Sequence, residues 1–178
     1  MFWNFGISVS AIDQIFEREQ PPTLNEVLEE PELMQEVKNQ NDKLINFLTE
    51  EENIKEIIDH VINGDGIFRR KCHDILVSCV GIIDHAVFES SSSLEILWAV
   101  FKSNSEDIST LGHVVSIFTH YATHKSAELF NFFIDNKIEF LQDIMLKLNY
   151  PPVCELMTRM VCNKMSDACS RFQDQFIQ

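Results

Sequence analysis

Glycine and proline are scarce, at 5 residues each in a chain of 178. That shortage excludes a collagen-like repeat and leaves too few turn residues for a hairpin-rich sheet protein. Cysteine occurs five times (Cys72, Cys79, Cys154, Cys162, Cys169), an odd count without any C-x-x-C pair. A disulfide scaffold and the common zinc-ribbon and redox motifs are therefore excluded, and reduced thiols are expected. No apolar run approaches the roughly 20 residues of a membrane span, because polar groups such as Asp59, Asp84 and His120 interrupt each stretch. The opening Met1–Gly6 is apolar but lacks the basic and long apolar regions of a secretory signal. A soluble protein of the cytoplasm or nucleus is the expectation.

Positive charge is also in short supply: 14 Lys and Arg stand against 28 Asp and Glu, a formal net charge of −14. The imbalance is concentrated in residues 1–60, which hold 14 acids and 4 bases. A field of this sign repels phosphate backbones and anionic lipid, so nucleic acid and membrane surfaces are disfavoured as partners. A basic protein surface is favoured, although such acids also form ordinary solvated helix faces. Hydrophobic residues make up 45% of the chain, which excludes disorder. A chain of this length buries roughly 70% of its unfolded surface and needs no metal or disulfide to hold a core.

Apolar residues recur at three- and four-residue spacing, which predicts an all-α fold. Thr23 and Glu26 form a T-x-x-E capping box, and Pro31 suits a first helical position. Leu33, Val37, Leu44 and Leu48 then make a stripe, broken by the polar Gln40-Asn41, that predicts one long amphipathic helix. Thr49 and Glu52 repeat the box before the Ile54, Ile57, Ile58, Val61 and Ile62 stripe, which Asn63-Gly64-Asp65-Gly66 ends. Further helices are predicted over 68–80, 82–88, 94–102, 107–123, 126–135, 137–148 and 152–163, with Ser92/Glu95 and Ser103/Glu106 in capping-box register. The 126–135 and 137–148 helices are apolar on more than one face and are expected to lie between neighbours. Short stacked helices with short connections point to an irregular α-solenoid of HEAT or armadillo type. A compact helical bundle is the alternative, because no clean internal repeat is visible.

Chemistry-bearing patterns are few. Walker, G-x-G-x-x-G and G-x-S-x-G motifs are missing, and Asp59–Arg70 fails as a calcium loop because Val61 and Arg70 stand where oxygen ligands are needed. His113, His120 and His124 fall within a 40° arc of one helix, opposite its apolar face, and predict an exposed polar ridge. His120 and His124 have the i, i+4 spacing of zinc ligands, without the Glu of H-E-x-x-H, so these three are only weak metal candidates and no cofactor is expected. Cys72/Cys79 and Cys162/Cys169 are each seven apart, on one helix face, and read as core, as do Met157, Met160, Met165 and Trp98. Phe2, Trp3 and Phe5 precede any capped helix; they either pack as a lid or anchor another protein.

Met1-Phe2-Trp3-Asn4-Phe5, Ile12-Asp13, Thr23-Leu24-Asn25-Glu26-Val27-Leu28 and the run from Gln35 to Leu48 resemble, in order, the opening motifs of the SAPS-domain family. Cys72-His73-Asp74-Ile75-Leu76 is similar to a later helix of that family, and likeness thins beyond. The family comprises regulatory subunits of serine/threonine protein phosphatase 6, and its members continue well past residue 178. The resemblance implies a single helical-repeat domain over 1–178, the N-terminal portion of a longer SAPS domain, with an aromatic and acidic segment (1–22) packed on it. It implies a non-catalytic scaffold that binds a phosphatase catalytic subunit, with room for further regulatory or substrate proteins, and directs it to substrates. The expected interface uses Phe2, Trp3 and Phe5 as anchors beside an acidic rim of Glu29, Glu30 and Glu32. The competing expectations are a helical-repeat adaptor that no longer binds phosphatase and, more remotely, a metal-assisted enzyme on the histidine ridge.

Overall fold

The computed structural model describes residues 10–90, 92–103, 107–136, 139–162, 169–171 and 174. Among them lie twelve α-helices and no strand. They are α1 (Ala11–Phe16), α2 (Leu24–Glu29), α3 (Leu33–Lys38), α4 (Asp42–Leu48), α5 (Glu51–Asn63) and α6 (Gly66–Leu76), followed by α7 (Gly81–Glu89), α8 (Ser93–Lys102), α9 (Ile108–His124), α10 (Ser126–Asn136), α11 (Glu139–Met145) and α12 (Pro151–Cys162). The all-α expectation is met. No helix of the described residues is long and apolar enough to cross a membrane.

The expected long helix after Pro31 is two helices. Gln40 sits in the left-handed region at φ 54°, and the side chain of Asn41 accepts from the amides of Lys43 and Leu44 at 3.1 and 3.2 Å. That capping starts α4 afresh. Asn41 Nδ2 also donates to Asp13 and Glu36, at 3.2 and 3.0 Å, so the break is held by tertiary contact. Pro31 lies in the turn before α3, whose N-cap is Glu32.

Thr23 and Glu26 form the full reciprocal box on α2. Thr49 does not: it is the C-cap of α4, with helical backbone, and its hydroxyl donates back to Ile45 O at 2.8 Å. Ser92 also makes no side-chain cap, because its backbone (φ −130°, ψ −5°) is outside the extended region. Glu106 falls outside the described residues. Asp107 caps α9 instead, accepting from Ser109 N at 3.0 Å and Thr110 N at 3.1 Å.

One continuous core runs from Ile12 to Cys169. Each fully buried Leu, Ile or Phe in it contributes ~1.5–3 kcal/mol of transfer free energy. Trp98 is core, as expected, stacked on Phe101 with ring centroids 4.2 Å apart and edge-on to Phe118 at 5.4 Å. Its Nε1 donates to Asp143 Oδ2 at 2.9 Å, which ties α8 to α11. Leu129, Phe130 and Phe133 of α10 are buried. By contrast Met145 at the end of α11 and Leu148 beyond it are exposed, so this stretch is not enclosed on all sides as expected.

Beyond sequence neighbours, seven of the helix contacts share one step, while α2 with α6 and α5 with α7 do not. Helix n packs on helix n+3 for α1 with α4, α3 with α6, α4 with α7, α5 with α8, α6 with α9, α8 with α11 and α9 with α12. The first residues of these pairs stand 31 to 46 residues apart, with α5 and α8, α6 and α9, and α9 and α12 each about 42 apart. α5 and α9 also pack directly on each other.

Candidate functional site

Of the residues expected at a partner surface, Phe2, Trp3 and Phe5 lie outside the described residues. Glu29, Glu30 and Glu32 come together where α2 ends and α3 begins; Glu29 and Glu32 are exposed and Glu30 is half-buried. Among the described residues none of the three has an ion-pair partner, whereas Glu17, Glu26 and Glu51 pair with Lys43, Arg18 and Lys55. The Lys71 ammonium of α6 reaches the same corner and donates to the carbonyls of Leu28 and Glu30. It satisfies the open end of α2 and supports the favourable cation position at a helix C-terminus. The backbone that carries the three acids is thereby held, with Glu29 and Glu32 exposed beside it.

The histidine ridge is corrected. His120 is not on an exposed face: its side chain is 7% exposed, and Nε2 lies 3.1 Å from Asp84 Oδ1 of α7, itself 5% exposed. A helix neighbour across the α7–α9 contact covers what a helical wheel of α9 alone leaves open. His113 turns away, with Nδ1 2.8 Å from Ser109 O and its ring edge-on to His73 at 5.0 Å. His124 is exposed, its ring 4.6 Å from that of His120.

Cys72 and Cys79 do not share a helix face. Cys72 is buried in α6, and burial, with a smaller push from Glu56, raises its thiol pKa to about 12, so it is an inert core group. Cys79 is exposed in the turn between α6 and α7 at φ 63°, and its Sγ is 3.9 Å from His124 Nε2. Cys162 is exposed and Cys169 buried, so that pair also divides. Met160 is buried and Met157 partly so, while Met165 lies outside the described residues.

An open cleft of about 590 Å³ runs between α5, α8 and α9, with Asp59, Arg69, Ile96, Asp107 and Lys147 on its walls. Arg69 meets Asp107 at 3.4 Å, and Asp107 also accepts from Thr110 Oγ1 at 2.6 Å. The Thr110 hydrogen bonds, then Arg69, hold the Asp107 carboxyl below its ordinary pKa. These charges are engaged in capping α9 and bracing α6 against it.

A chicken serine/threonine-protein phosphatase 6 regulatory subunit 3 is 28% identical over 171 residues, covering 90% of this chain and 20% of its own. The chain is similar to phosphatase 6 regulatory subunits over most of its length. The fission-yeast extragenic suppressor of kinetochore protein 1 is 28% identical over 165 residues, 78% of this chain and 20% of its own. A human phosphatase 6 regulatory subunit 2 is 34% identical over 59 residues, 33% of this chain and 6% of its own. The chain thus spans about a fifth of the length of the regulatory subunits 3 it matches. No family model and no solved structure matches it.

Proposed function

We propose that this chain is a non-catalytic regulatory subunit that binds a phosphatase 6-type catalytic subunit and directs it to substrates in the cytoplasm or nucleus. The observation that carries the reading is the similarity to phosphatase 6 regulatory subunits over 90% of the chain. Its architecture, in this reading, is an irregular solenoid of HEAT or armadillo type, supported by the seven n to n+3 contacts, three of which have starts about 42 residues apart. Such stacks expose long surfaces suited to holding another protein.

Trp3 and Phe5, with Phe2, act as apolar anchors, and Glu29, Glu30 and Glu32 as an acidic rim that steers a basic patch. That none of those three carboxylates has an ion-pair partner among the described residues supports the rim. The test is affinity purification of the tagged chain from its own cells. A metallophosphatase catalytic chain is expected to co-elute, to be lost in a Trp3→Ala/Phe5→Ala variant, and to associate more slowly, with a weaker salt dependence, in a Glu29→Gln/Glu30→Gln/Glu32→Gln variant. Recovery of other partners without a phosphatase would favour the adaptor reading. An unchanged affinity in the folded Trp3→Ala/Phe5→Ala variant would overturn the anchor assignment.

A further inference from the structure

We propose that Cys79, His120 and His124 form a binding site for a zinc-class divalent cation. These three residues each offer one ligand atom, and the atoms all lie within 4.8 Å of one another. Tetrahedral zinc, with Zn–S near 2.3 Å and Zn–N near 2.0–2.1 Å, sets its ligand atoms about 3.3–3.6 Å apart. The Cys79 Sγ to His124 Nε2 separation is already 3.9 Å. Closing the rest takes shifts of roughly 1 Å, within the reach of side-chain torsions at two exposed residues.

The geometry around the three supports a site rather than a chance contact. His120 and His124 are adjacent on one face of the seventeen-residue α9, a rigid base that fixes two ligands by helical repeat alone. Cys79 is brought to them by a turn in which it takes a left-handed backbone, φ 63°, a conformation costly for a side chain with a Cβ. Asp84, nearly buried, holds Nε2 of His120 at 3.1 Å. A carboxylate against a ligand imidazole is the usual outer partner in such sites, and a His120 that donates Nε2–H to it keeps its lone pair on Nδ1.

Thiolate and imidazole together select zinc over magnesium or calcium, which prefer oxygen. Binding releases the Cys79 thiol proton to solvent and leaves the fourth position to water. His113, which shares the helix arc, is not a member, since its ring contacts His73 instead.

The test uses the full chain, reduced and stripped of metal, titrated with zinc and, as a coloured substitute, cobalt(II). One equivalent of zinc is expected by native mass spectrometry, with cobalt giving a thiolate charge-transfer band and the visible bands of tetrahedral coordination. Cys79→Ser should abolish the charge-transfer band. His124→Ala should weaken zinc at least ~10-fold, the lower limit for loss of an outer partner. Both residues are exposed, and an unchanged circular dichroism spectrum verifies their fold. Cys154→Ser, at an exposed cysteine outside the cluster, should change nothing. No uptake at stoichiometric zinc, or uptake that survives both Cys79→Ser and His124→Ala, would overturn the proposal.

Discussion

The first four helices and the two at the centre solve the same problem with different means. α1 to α4 are six or seven residues long, while α5 has 13 and α9 has 17. Helices below roughly 12–15 residues are marginal in isolation. Yet Leu28, Leu33, Leu44 and Leu48 in the short set are as completely buried as Ile57 and Phe118 in the long set. The N-terminal helices therefore owe their order to caps and to surfaces brought by distant segments, whereas α5 and α9 add propagation of their own. Short elements also leave more backbone ends to satisfy, which is why Ser10, Thr23, Asn41 and the Lys71 ammonium all serve helix ends there.

Four measurements test that contrast. Phe118→Ala, in the centre of the aromatic cluster, should cost ~3–5 kcal/mol in urea unfolding; a loss below ~1 kcal/mol would mean that α9 is not the load-carrying element. Thr23→Ala, which removes the capping box of a six-residue helix, should cost about 1 kcal/mol. Thr49→Ala should cost less than half as much, because that hydroxyl only folds back on its own helix. Equal losses at the two threonines would erase the distinction between a formed and an unformed box.

Acid sensitivity is the third. Burial, opposed in part by Asp74, lowers the pKa of His73 from its ordinary 6.5. Because the folded chain holds this proton less tightly than the unfolded chain, stability is complete above pH 6.5 and falls as pH drops through and below that value. Thermal melts of His73→Gln should lose this descent while keeping the separate loss, below about pH 4, that arises from the depressed carboxyls of Asp107 and Glu26. An unaltered slope between pH 7 and 5 in the variant would assign it elsewhere. Smallest of all, Gln40→Gly should stabilise by about 0.5 kcal/mol, since relief of the left-handed strain exceeds the entropy of a freer unfolded chain; destabilisation would show that the Gln40 side chain contributes contacts of its own.

The helical class and most element positions were legible because three- and four-residue apolar spacing is a local property. The polar Gln40-Asn41 interruption was visible, but not that it ends a helix, since Asn41 is held there by Asp13, 28 residues away, as well as by its own cap. His120 was misplaced for the same reason: a wheel drawn on α9 alone cannot include Asp84 from α7. Asp84 was visible as a charge interrupting an apolar stretch, and a buried charge asks for a partner. Cys79 carried no comparable sign, standing 45 residues before His124. Its supposed pairing with Cys72 assumed one continuous helix where α6 stops at Leu76.

α9 is packed on from both directions along the chain. This rod touches α5, α6 and α8 from the earlier tiers and α10 and α12 from the later ones. A change that displaces α9 is therefore felt on both sides of it, by α5 and α6 as well as by α12.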